Sequence, residues 1–360
     1  MSRLSRPSGS DAGTSQEGEA GPQGVSLPVA SLAAWRAAND PATARGLPPG
    51  VADAVVRLSI RTVEGARTGD TLGTEREGTG VLVDAGEAPG GGALILTIGY
   101  LVIEAKSVLV VTRDNRLLPA SVLAFDHATG FALLRAAGAL STRGLPLAAP
   151  AHRHGLQPLW FVTHEDAGGA GPVALVARRR FVGYWEYMID GALFTVPGRS
   201  DHSGAALVDA DGALVGVASL WVGDALDQGI ALPGNMCVPV DLLRPLLADL
   251  IAHGRGAGPA RPWLGVYTAE QDDRVVVARV MARSPAQKVG LREGDVILAV
   301  GSEPVDSPAQ FYERLWASGP AGTRIRLRVL RGRLVLDALV TSIDRVDFFR
   351  PWTVRGEAGP

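Results

Sequence analysis

Cysteine is nearly absent from this 360-residue chain: Cys237 is the single one. No intramolecular disulfide can form, and no oxidising compartment is implied. Its neighbours Met236 and Val238 mark it as a small buried hydrophobe. No run approaches the ~18 apolar residues that a membrane helix needs. After Arg3 and Arg6 the N-terminus turns polar and Gly-rich instead of offering the apolar core of a secretion signal. A cytoplasmic place is the expectation, with the periplasm as the alternative if the start is misassigned. Charge of one sign is also missing, since the formal net charge is -2; nothing draws the chain generally to nucleic acid or an anionic membrane. Against that balance Arg178-Arg179-Arg180 reads as a solvated strand or loop segment. His152-Arg153-His154 has no third ligand at useful spacing, so these read as surface histidines and no metal is expected. No cofactor is implied.

What is abundant is glycine, 45 residues, and proline, 24, beside only 20% charged residues. That composition suits many short strands joined by tight turns better than a helical bundle. The length exceeds one ordinary core and fits two domains plus a tail. Residues 1–50, rich in Ser, Gly, Ala, Glu and Pro, show no sustained period and read as a disordered tail. From Val55 short apolar runs recur at even spacing, first through Leu133–Leu134 and again from Leu159 to Leu232, the pattern of two β-barrels in a domain over 51–253. Leu242, Leu243, Leu246, Leu247, Leu250 and Ile251 keep a helical period, with Asp241 as candidate N-cap and Gly254 past the end. A Gly/Ala/Pro/Arg linker follows over 254–262. A further unit spans 263–343, with a short helix near Ala286–Val289, a second helix over Ala309–Ala317 and a closing hairpin. Residues 344–360 form a C-terminal tail.

Several motifs then fall in a telling order. Gly78-Thr79-Gly80-Val81-Leu82-Val83-Asp84, Leu94-Ile95-Leu96-Thr97, Asp126 through Leu134, Ser203-Gly204 with Asp211-Gly212, and Gly229-Ile230-Ala231-Leu232-Pro233 together resemble the HtrA/DegP branch of the trypsin-like serine proteases. Trp263-Leu264-Gly265-Val266 and Ser284-Pro285-Ala286 leading to Gly290-Leu291-Arg292-Glu293-Gly294-Asp295 resemble the PDZ modules that follow such proteases. The resemblance implies a mostly β fold, a trypsin-like double β-barrel followed by one α+β PDZ domain, and commonly a homotrimer. In PDZ modules a peptide adds a strand to a sheet edge while loop N–H groups take its terminal carboxylate. Trp263, Leu264, Gly265 and Val266, with Phe311 and Leu315 across the groove, are therefore the candidate peptide-binding residues.

Serine hydrolysis needs a base for the Oγ proton, an acid that orients the base, and N–H donors for the oxyanion. In the family register Ser203 holds the nucleophile position, but Tyr100 stands at the histidine position and Gly130 at the aspartate position. A phenol with a reference pKa near ~10 is a poor proton acceptor at neutral pH, and glycine has nothing with which to orient one. Asp201 replaces the oxyanion-hole glycine, setting a negative charge against the developing one and a side chain where the backbone turn favours none. Ala205 and Ala206 replace the glycine and proline after the nucleophile. His127, with Asp126 as its partner, and His202 are the imidazoles close enough in sequence to offer a substitute base. Three readings stand open: a pseudoprotease that binds peptides or protein C-termini as adaptor, scaffold or regulator; a serine endopeptidase with an unconventional base; and an assembly protein whose barrels are structural and whose PDZ module alone recognises partners.

Overall fold

The computed structural model describes residues 46–84, 93–138, 140, 142–149, 158–165 and 169–350. The expected N-terminal tail therefore lies outside the described residues up to position 45, as do the expected surface histidines of 152–154.

Two closed barrels come first, as the strand spacing predicts. β1 (Val55–Thr62), β2 (Glu75–Leu82), β3 (Leu94–Ile98), β4 (Ala105–Val111), β5 (Leu117–Phe125) and β6 (Phe131–Ala136) close one. β7 (Pro158–Val162), β8 (Ala170–Gly183), β9 (Tyr187–Val196), β10 (Ala206–Val208), β11 (Leu214–Val222) and β12 (Gly234–Pro239) close the other. Closure removes the open edges that a free sheet would expose. Along β1 the period of two places Leu58 and Ile60 inside while Arg57 and Arg61 face water.

The remaining strands, β13 (Val266–Gln271), β14 (Arg274–Val280), β15 (Val296–Val300), β16 (Glu303–Pro304), β17 (Arg324–Arg331) and β18 (Leu334–Thr341), build one sheet in the order β13-β14-β15-β17-β18, with β16 on β15. In β17 the alternation is strict: Ile325, Leu327 and Val329 are buried between exposed arginines. Two helices pack on this sheet, Pro285–Lys288 and Pro308–Ala317, each capped by a serine, Ser284 and Ser307, whose hydroxyl accepts from the N–H three residues on.

Three expectations change. The helical period from Leu242 is cut: Val240–Leu242 is a 3₁₀ turn, and the α-helix is Leu247–His253, ending on left-handed Gly254. Pro245 is the physical reason, because it lacks the N–H that would continue the helical ladder. The arginine triplet lies in β8 and each member is paired: Arg178 with Asp241 at 3.0 Å, Arg179 with Asp227 at 3.3 Å, and Arg180 with Asp190 and Glu313, both at 2.6 Å. Residues 344–350 return to the first barrel. Phe348 and Phe349 join its core, and the buried Glu104 carboxylate accepts from the N–H groups of Arg350, Arg67 and Thr68 at 2.7, 2.9 and 2.9 Å.

Candidate functional site

Ser203 stands at the seam between the barrels, its carbonyl accepting from Thr79 N of β2 at 2.8 Å. Tyr100 enters from the turn Gly99–Leu101 that ends β3. The phenol oxygen lies 2.9 Å from Ser203 Oγ and 2.8 Å from the Ser219 carbonyl oxygen. A carbonyl only accepts and a phenol has one proton, so that proton serves Ser219 and leaves the serine proton where it is. Burial pushes the phenol up to about 12, against a weaker opposing pull from the Ser203 bond. At neutral pH it is an uncharged hydroxyl holding the serine, not a base.

Gly130 has φ +78°, and a Cβ built there would lie 2.8 Å from the Tyr187 hydroxyl. That hydroxyl donates to Thr129 O at 2.8 Å, and its ring is buried. The space an orienting carboxylate needs is thus already filled, by a residue from β9 that no sequence motif connects to Gly130. Asp201 is held by Arg199 Nε at 2.9 Å and Thr163 Oγ1 at 3.0 Å. Burial raises its carboxyl, but the bond and charge of Arg199 and the Thr163 hydroxyl outweigh this and hold it below the ordinary range. A fixed negative charge therefore stands two residues before the serine. Asp201 is not among the described non-glycine residues with positive φ, so the chain keeps an ordinary conformation there.

Neither substitute imidazole reaches the serine hydroxyl. His127 is packed edge-on to Phe125 at 4.2 Å and stacked on Phe349 at 5.7 Å, with Nε2 unpartnered among the described residues. Burial holds it well below its ordinary value, so it is neutral. Asp126 does not partner it; its Oδ2 accepts from Thr129 N at 2.8 Å and closes its own turn. His202 Nδ1 lies 3.1 Å from Arg199 O within its own loop. A histidine that no sequence motif singles out, His164, meets β2 of the first barrel, with Nδ1 2.9 Å from Thr79 Oγ1.

The second candidate site is the groove between β13 and the helix Pro308–Ala317. Gly265 has φ +85°, and a Cβ there would lie 2.3 Å from Ser284 Cβ, so only glycine lets the loop pass. The N–H groups of Leu264, Gly265 and Val266 converge on one carboxylate at 3.0, 2.7 and 2.9 Å. It belongs to Glu186, at the tip of the β8–β9 hairpin. Beside it Thr268 N donates to Tyr184 O at 2.9 Å, and Tyr312 Oη donates to Gly183 O at 2.9 Å while accepting from Glu186 N at 3.2 Å. Burial pushes the Glu186 carboxyl up to about 7, opposed by the three N–H donors and by Arg345.

The candidate peptide-binding residues divide accordingly. Leu264, Gly265 and Val266 form the carboxylate loop with their backbone. Trp263 turns away: its ring packs on Phe348 at 4.6 Å and its backbone pairs with Ile343, making it a core residue. Phe311 and Leu315 are fully buried in the sheet–helix core. Tyr312, equally buried, meets the hairpin tip through its hydroxyl, and Thr268 meets it through its N–H.

Comparison with known proteins agrees with this architecture. Residues 78–217 match the trypsin-like peptidase domain family and residues 262–341 the PDZ domain family. Among curated relatives, the serine endoprotease DegS of Haemophilus influenzae is 26% identical over 290 residues, 77% of this chain and 81% of that protein. The periplasmic serine endoprotease DegP of Salmonella typhimurium is 25% identical over 276 residues, 71% of this chain but only 54% of that protein, so the chain spans about half of the DegP relative. A crystal structure of the serine endoprotease from Yersinia pestis covers 83% of this chain and 99% of its own, at a TM-score of 0.48 and 20% identity. With both domain matches in this order, the chain carries a trypsin-like peptidase domain followed by a PDZ domain and is similar in sequence to serine endoproteases of the HtrA/DegP type.

Proposed function

We propose that this chain is a serine-protease homologue without turnover that recognises free carboxyl ends of peptides or proteins through its PDZ domain, as adaptor, scaffold or regulator. The observation that carries the reading is the neutral Tyr100 phenol 2.9 Å from Ser203 Oγ, where a base should stand. Tyr187 against Gly130 and the charged Asp201 point the same way. Loss of a triad member costs on the order of 10⁴ to 10⁶ in turnover, and what survives depends on the oxyanion hole. The glycine position of that hole is itself taken by Asp201, whose carboxylate is held by Arg199 and Thr163.

The test compares the wild-type chain with Ser203→Ala on an unfolded casein substrate, alongside labelling by a fluorophosphonate probe. Equal background turnover and no labelling are expected; Ser203-dependent hydrolysis overturns the reading. In that event the endopeptidase alternative takes its place, favoured by the retained serine and by the names of the relatives, which are serine endoproteases. Several relatives are named periplasmic, which favours the periplasm over the cytoplasm for this chain. Cys237 suits either compartment: it is buried and its thiol is pushed up to about 12 by desolvation, leaving it inert. A homotrimer belongs to the same proposal and is read by sedimentation equilibrium.

A further inference from the structure

The β8–β9 hairpin is longer than its barrel requires. β9 pairs with β12 only through Leu193–Thr195, yet the β8–β9 ladder continues outward to Gly183↔Tyr187. Its outer part is a two-stranded ribbon, which has little stability in water unless it rests on something. It rests on the PDZ domain. Val182 and Met188 pack against the PDZ core, the Tyr184 ring lies 5.6 Å from Tyr267, and Arg180 pairs with Glu313 of the groove helix.

The contacts at the tip match what a bound peptide end makes. An added strand bonds the sheet edge at alternate residues, and its terminal carboxylate enters the loop of N–H groups. Here Thr268 N of the edge strand donates to Tyr184 O, and two residues later a carboxylate fills the loop. That carboxylate is a side chain, not a chain end. Glu186, at φ +55°, takes the left-handed position that closes a three-residue hairpin loop, and its buried carboxylate is matched by the loop N–H groups that it meets. Among the described residues the hydrogen bonds of the Glu186 carboxylate are those from the loop N–H groups.

We infer that residues Gly183–Glu186 are an internal ligand of the PDZ groove, with the Glu186 side chain standing in for a terminal carboxylate, so that any external carboxyl end binds by displacing the tip. This rests on the peptide-binding reading above and adds its regulation: the site is masked by the barrel domain of the same chain. External affinity is then the intrinsic affinity reduced by the fraction of molecules with the tip released. Opening the groove also strips the hairpin arm of its support, so ligand binding is coupled to the second barrel, whose Tyr187 fills the space beside Gly130.

The test uses the full chain and its Glu186→Ala variant. Hydrogen exchange reads the amides of Leu264, Gly265, Val266 and Thr268, and fluorescence anisotropy reads binding of short fluorescein-labelled peptides with apolar last residues, as free acids and as amides. The variant should lose protection at those four amides while the barrel amides keep theirs. It should also bind the free-acid peptides at least ~10-fold more tightly than the wild type, with the amidated set bound by neither. Unchanged protection, or equal affinity of variant and wild type for the free acids, overturns the inference. Loss of protection with no binding of free acids by either protein leaves the internal ligand standing and removes the peptide-binding reading instead. Should Glu186→Ala also lose barrel protection, Tyr312→Phe, which keeps the ring and removes only the hydroxyl, takes its place in the same two measurements: lost groove protection with tighter free-acid binding supports the internal ligand, and no change in either overturns it.

Discussion

The serine pocket and the PDZ groove are both filled from within, and the manner of filling differs. At the serine, a neutral phenol faces Oγ, and the Tyr187 hydroxyl lies 2.8 Å from where a Cβ at Gly130 would stand. In the groove every binding group is present, with three N–H donors aimed at one point, and a carboxylate from the same chain is set on them. On the proposed function the first site lacks its reagents, while the second has them covered. A missing reagent is restored only by changing residues and their packing. A covered one is exposed by moving a hairpin.

The largest effect should come from trying to turn the first kind of site into the second. Tyr100→His with Gly130→Asp is the obvious repair of the triad. The left-handed φ at 130 and the Tyr187 hydroxyl 2.8 Å from the new Cβ should make the aspartate cost about 2–4 kcal/mol. The double variant is expected to unfold at lower urea concentration and to show no Ser203-dependent turnover. Full stability together with hydrolysis would break the comparison.

A smaller effect is expected from pH, and it belongs to the groove alone. Docked, Glu186 is held up at about 7 by burial, with Arg345 and the N–H donors opposing and the Tyr267 and Tyr312 phenols neutral nearby. Released into water, it returns to the ordinary carboxyl range. Docking therefore takes up a proton, so the docked state is favoured below about 7 and weakens as pH rises through that value. Affinity for free-acid peptides should rise by up to about tenfold between pH 6 and 8, and Glu186→Ala should abolish the dependence. A rise of the same size in that variant would assign it to another group.

The smallest change is Arg180→Ala. Its pairs with Asp190 and Glu313 are exposed at both ends, so each contributes under about 1 kcal/mol and is screened by salt. Peptide binding should tighten by no more than a few-fold, and the difference should fade in high salt.

Much of both sites was legible because it depends on residue type in a local register. The motifs around Tyr100, Gly130 and Asp201 locate these residues, and the structure brings Tyr100 to within 2.9 Å of Ser203 Oγ. The Gly-rich loop before β13 declares itself in the same way, since only a residue without Cβ passes Ser284. Phe311, Tyr312 and Leu315 are all fully buried, so burial does not separate the residues of this helix that face the groove from those that face the sheet. Both the core face and the groove face of that helix carry large apolar rings, and periodicity does not say which face a given ring takes.

The sequence by itself determined the β architecture and the order of the two domain types, because alternation, turn residues and motif chemistry are local properties. Only the tertiary structure decided what fills the emptied places. Tyr187 meets Thr129 across 58 positions and Glu186 meets Gly265 across 79, and such contacts follow from where a long hairpin comes to rest, which no short-range pattern encodes.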